Sequence, residues 1–86
     1  FKNVVTTMEG TKINLNFSVD NLPPNTSRFK ILYGDSPDNL SYEVLTYTVD
    51  KIRRPNGTYN WYITNLPPKN YYFKIFAITE DGTVIS

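Results

Sequence analysis

Between residues 11 and 19 the apolar Ile13, Leu15, Phe17 and Val19 alternate with Asn14, Asn16 and Ser18. A period of two over this length predicts a strand with one face buried and the other in water. The same alternation places Phe29, Ile31 and Tyr33 on one face of a strand over 28–34, and Tyr59, Trp61 and Ile63 on one face of a strand over 58–64. A fourth alternating run, Tyr71, Phe73, Ile75 and Ala77, predicts a strand over 71–79. Residues 42–49 are rich in strand formers, the chain opens on a strand-like segment, and a last strand is expected from Thr83. No helical periodicity, internal repeat or low-complexity tract interrupts this pattern.

The breaks between these runs are turn chemistry. Residues 20–26 carry Pro23 and Pro24 among Asp and Asn, and a proline has no N–H to give to a ladder. Residues 34–39 gather Gly34, Asp35, Ser36, Asp38 and Asn39 around Pro37, which reads as a tight surface connection. A longer basic loop is expected over 50–57, a corner at Leu66-Pro67-Pro68-Lys69, and a two-residue hairpin turn at Asp81-Gly82. Short strands separated by turns indicate an antiparallel sandwich or barrel.

Tyr71 favours the sandwich. A tyrosine at the start of a buried strand can bond back to the chain just upstream, a corner device of immunoglobulin-like sandwiches. Taking Tyr72 as the corner instead would turn Lys74 inward and put Phe73 and Ile75 in water, and burying an unpaired ammonium costs several kcal/mol. The expected core therefore includes Phe17, Tyr33, Trp61, Leu66, Tyr71, Phe73 and Ile75.

Composition narrows the function. At 86 residues the chain has room for one domain, 1–86. A chain this short buries only about 60% of its unfolded surface, so the seven tyrosines, five phenylalanines and one tryptophan are first of all core material. Nine basic against eight acidic residues leave a formal charge of +1, too balanced to gather nucleic acid. With no histidine and no cysteine there is no serine–histidine relay, thiolate, disulfide or zinc set of the usual kind. No catalytic, cofactor-binding or metal-binding set is expected, and no enzyme. Neither a signal peptide nor a membrane-spanning run is present, so the chain reads as a domain excised from a longer, exported protein.

The order of these signals resembles a fibronectin type III domain across nearly the whole length. Trp61-Tyr62-Ile63-Thr64-Asn65-Leu66-Pro67-Pro68 is similar to that family's fifth strand and leucine-proline corner, and Tyr71-Tyr72-Phe73-Lys74-Ile75-Phe76-Ala77 to its sixth strand. Lys30-Ile31-Leu32-Tyr33-Gly34-Asp35-Ser36-Pro37-Asp38-Asn39-Leu40 resembles the third strand and turn of such modules in bacterial secreted and surface proteins. Phe17 stands where the family usually has a core tryptophan, with Trp61 expected to fill the volume from the facing sheet. The resemblance implies an immunoglobulin-like antiparallel β-sandwich of about seven strands, the last short, truncated or supplied by another chain. It further implies a non-catalytic interaction, adhesion and spacer module, secreted or at the cell surface. The alternative roles are an accessory linker domain of a secreted polysaccharide-degrading enzyme, or carbohydrate binding through Tyr62 and Tyr72.

If Tyr71, Phe73 and Ile75 face inward, then Leu32, Tyr72, Phe76 and Ile78 share the opposite face and form a candidate patch for a protein partner or an adjacent domain. The same residues could instead be shaded by lysine stems and the strand over 42–49. Lys51, Arg53 and Arg54 form a basic run that is either a solvated loop or an anion or partner contact. Asn16, Asn25, Asn39 and Asn56 each begin an Asn-X-Ser/Thr sequon, meaningful as glycan sites in a eukaryotic secreted chain and accidental otherwise. Asp35 with Asp38, and Glu80 with Asp81, read as turn carboxylates without calcium-loop spacing. Tyr33 before Gly34-Asp35-Ser36 denies the integrin-type Arg-Gly-Asp signal.

Overall fold

The computed structural model describes residues 2–85, with Lys2 and Asn3 described as backbone. Among the described residues the chain forms seven strands: β1 Lys2–Glu9, β2 Lys12–Ser18, β3 Thr26–Gly34, β4 Tyr42–Thr48, β5 Tyr59–Ile63, β6 Tyr72–Thr79 and β7 Val84–Ile85. They make a three-stranded sheet of order β1-β2-β5 and a four-stranded sheet of order β4-β3-β6-β7, every pair antiparallel. The chain is an all-β sandwich.

Its core is built from the alternating residues of both sheets. Phe17 and Leu15 from β2, Phe29 and Ile31 from β3, Tyr59 and Ile63 from β5, and Ile75 and Ala77 from β6 are all buried. Phe17 meets Phe29 edge-on at 5.1 Å between ring centroids, Tyr59 stacks on Phe17 at 5.7 Å, and Phe29 meets Tyr59 at 5.0 Å. Edge-to-face and offset geometry suits the ring quadrupole and adds about 0.5–1.5 kcal/mol per pair beyond area burial. Leu66 is buried, while Tyr33, Trp61, Tyr71 and Phe73 are half-buried against the core's margin.

Three local expectations change. Residues 49–52, read as the end of a strand and the start of a loop, form a one-turn helix α1, Val49–Ile52, which buries Val49 and Ile52 between the sheets' edges. Two apolar residues three apart fit one helical turn, too short for a periodic signal. The β6–β7 turn has three residues rather than two: Thr79 accepts from Gly82 N–H and donates to the Thr83 carbonyl, each across 3.0 Å. Gly82 sits at φ 88°, the left-handed residue that ends a type I turn in such hairpins. Trp61 belongs to the same sheet as Phe17, beside Leu15, and does not come from the facing sheet. The volume beside Phe17 is filled by Tyr59, its own cross-strand partner.

The tetrapeptide Asn-Leu-Pro-Pro occurs at both 21–24 and 65–68. Asn21 and Asn65 each take a left-handed backbone, φ 56° and 62°, which asparagine tolerates better than most residues. Each turns the chain out of one sheet so that the following leucine packs under the sandwich. Leu66 N–H also donates to the Thr11 carbonyl at 2.9 Å, tying this corner to the β1–β2 turn.

Candidate binding surfaces

Leu32, Tyr72, Phe76 and Ile78 share the outer face of the four-stranded sheet. Register interleaves them with charge: Phe76 pairs with Lys30, Leu32 with Lys74, and Ile78 with Arg28. Lys30 reaches Glu43 across 2.9 Å, and the Lys74 ammonium lies 5.3 Å from the centre of the Phe76 ring. Lysine stems therefore shade the rings, leaving Leu32, Phe76 and Ile78 half-buried and Tyr72 open at 47% exposure. Two further apolar residues extend this face: Leu45, opposite Lys30, and Val84, opposite Ile78. Sequence reasoning missed both, because only strand pairing reveals their neighbours.

A second surface runs along the side of the sandwich where β4 and β5 are the outermost strands. A register shift in the β3–β4 pairing, between Arg28 and Lys30, marks a bulge in β4. Bulges re-aim side chains, and here Tyr47 turns toward Trp61, meeting it perpendicular at 5.0 Å. Lys51, Arg53 and Arg54 follow from α1 and the loop behind it. With Tyr47, Trp61 and Tyr62 these cations line a groove of about 420 Å³.

Hydrogen bonds set the groove's floor and rim. Arg54 donates to Asn60 Oδ1 at 3.0 Å, and buried Asn60 donates to the Leu15 carbonyl at 3.1 Å and to Asn14 Oδ1. Arg53 donates to the Tyr59 hydroxyl at 3.3 Å. That bond, with a smaller contribution from Asp50 at 3.9 Å, holds the guanidinium above its ordinary pKa. The basic run is thus partly anchored rather than wholly solvated.

A second hollow, of about 320 Å³, lies at one end of the sandwich and is lined by Tyr33, Asp35, Tyr42, Leu66, Lys69 and Tyr71. Tyr33 stacks on Tyr42 at 5.3 Å, and burial, followed by the neighbouring phenols of Tyr42 and Tyr71, raises its pKa. Lys69 pairs with Asp35 at 3.3 Å, which raises the Lys69 pKa. The Tyr71 hydroxyl donates to the Pro67 carbonyl at 2.8 Å. This hollow is therefore a self-satisfied corner.

Tyr62 and Tyr72, considered together for carbohydrate, do not come together: one stands on the three-stranded sheet and the other on the four-stranded sheet. Lys12 also covers Tyr62, its ammonium 4.6 Å from the ring centre. Asn16, Asn25, Asn39 and Asn56 are all exposed. Asp38 and Glu80 lie in turns, and Asp81 accepts from Thr79 and Thr83. Among the described residues no group of three or more acidic, histidine or cysteine side chains could hold a metal ion. Compared with protein-family models, curated proteins and solved structures, the chain matches none.

Proposed function

We propose that this chain is a non-catalytic interaction and spacer module of the fibronectin type III kind, working outside the cell or at its surface as part of a larger protein. One observation supports the reading most. The β1-β2-β5 and β4-β3-β6-β7 sheets are joined at a corner where Tyr71 bonds back to Pro67, the arrangement expected of that sandwich. A fold alone assigns no activity; the residues on its surfaces favour contact over chemistry. Charged and apolar side chains alternate across the outer face of the four-stranded sheet, the make-up of an interface with an adjacent domain or a protein partner.

The test is a titration of the folded chain against the neighbouring domain of its parent protein, followed calorimetrically. Tyr72→Ser with Phe76→Ser is expected to weaken the association while leaving the melting temperature nearly in place. Undiminished association in that folded double variant overturns the assignment of this face. Turnover of an ester, peptide or glycoside by the isolated chain overturns the non-catalytic reading itself.

A further inference from the structure

The edge of β5 changes character along its length. At Tyr59 it is bridged by Arg53, and the loop is closed by Arg54 N–H donating to the Thr58 carbonyl at 2.7 Å. Beyond Tyr59 the sheet ends at β5, so among the described residues the strand's outer backbone groups around Trp61, Tyr62 and Ile63 have no neighbouring strand. The groove lies along this stretch, between β5 and the aromatic wall raised by the β4 bulge. An unpaired edge of this kind is a template for another extended chain.

Charge decides which chain. Among the described residues neither Lys51 nor Arg54 meets a carboxylate, and Arg53 has only the distant, exposed Asp50. Cations beside an open edge repel basic strands and must be desolvated to admit a neutral one, whereas they attract an acidic one. The rings argue against a sugar: Lys12 covers Tyr62, and Tyr47 abuts Trp61. Trp61 also carries a ring N–H that is shielded from solvent and has no acceptor among the described residues, and its ring meets a Tyr47 ring that is 65% exposed.

We infer that the β5 edge is a docking site for an extended acidic peptide of a partner protein, which adds as a strand along Trp61–Ile63 while its carboxylates meet Lys51, Arg53 and Arg54. This rests on the interaction-module reading and names both a partner chemistry and a surface separate from the outer face of the four-stranded sheet.

The probe is a short acetylated, amidated peptide alternating valine and glutamate, titrated into the isotope-labelled chain at low salt. Amide resonances of Trp61, Tyr62 and Ile63 are expected to move, with a change in Trp61 fluorescence. Lys51→Glu, at an exposed side chain with no hydrogen bond or ion pair among the described residues, should weaken binding about five- to tenfold, and Arg54→Glu at least as much. The same peptide with lysine for glutamate should not bind. N-methylation of alternate peptide amides should abolish binding in one of its two phases and spare the other, as strand pairing requires. No resonance change, equal binding by both N-methylated peptides, indifference to Lys51→Glu, or tighter binding of polygalacturonate at the same residues would each overturn the inference. Tyr72→Ser with Phe76→Ser should leave peptide binding unchanged, so failure at this edge is separable from failure of the wider reading.

Discussion

The Phe29 amide donates to the Thr46 hydroxyl across 2.9 Å, and the same hydroxyl donates to the Tyr47 carbonyl at 2.8 Å. Thr46 is 1% exposed and sits where the β3–β4 register shifts, so one side chain replaces ladder bonds that a bulge disrupts. Thr46→Val keeps the volume and removes both bonds. A loss of about 1–3 kcal/mol is expected by urea denaturation, whereas Thr46→Ser, which keeps the hydroxyl, should lose less. Little loss in Thr46→Val beside a larger loss in Thr46→Ser would mean the methyl group, not the hydroxyl, matters.

Tyr71 closes its corner with a bond to the Pro67 carbonyl, but that bond is exposed. Water can replace the phenol there, so Tyr71→Phe strands no buried acceptor. The expected cost is about 0.5–1.5 kcal/mol. A melting temperature unmoved by the change would remove the corner's structural role.

Much of this architecture was legible because side-chain direction in a strand is a local property. Ile13, Leu15 and Phe17, or Phe73, Ile75 and Ala77, announce their buried face through alternation alone. What stayed hidden depends on pairing between distant segments. Nothing near Phe76 in the sequence shows that Lys30 stands opposite it, and nothing near Trp61 shows that its strand lies beside Phe17's in the same sheet. The β4 bulge, which turns Tyr47 onto Trp61 and makes Thr46 structural, is likewise set by register with β3. Hence the basic run at 51–54 was visible as charge, while the groove it borders was not.

Trp61 is the single tryptophan and therefore reports on that groove directly. Its ring is half-buried, with Tyr47 standing perpendicular against it. Tyr47→Ala should uncover the indole, shifting its emission to the red and making it easier to quench with iodide, with little loss of stability because Tyr47 is itself exposed. Unchanged emission would show that Tyr47 does not shield the ring.

Gly34 ends β3 under the 35–39 turn, where a Cβ would fall 2.1 Å from the Asn39 carbonyl oxygen. The obstacle is backbone rather than the tip of a flexible side chain, so the turn must move to admit even a methyl group. Gly34→Ala should cost about 1–3 kcal/mol. The companion change Gly57→Ala meets no atom within 4 Å but occupies φ 86°, so its penalty arises from backbone strain alone. If the Gly34 variant alone broadens the amide resonances of residues 35–39, crowding is the cause; unaltered resonances there would rule it out.

Asp81 gives the fold a dependence on acid. Its carboxylate accepts first from the Thr79 hydroxyl and then from Thr83 N–H at 3.2 Å, and these bonds hold its pKa below the ordinary aspartate value. A carboxyl group depressed in the folded state stabilises the fold above its unfolded pKa of about 3.9, and that contribution is lost as pH falls through the lower folded value. Asp81→Asn retains an acceptor oxygen but no charge, so its bonds resemble those of the protonated acid. The variant should therefore be less stable than the parent at neutral pH, with the gap closing as pH falls below about 4. Urea midpoints for both proteins at neutral pH and at about pH 2.5 measure this. A gap of the same size at both values would show that the turn responds to the shape of residue 81 and not to its charge.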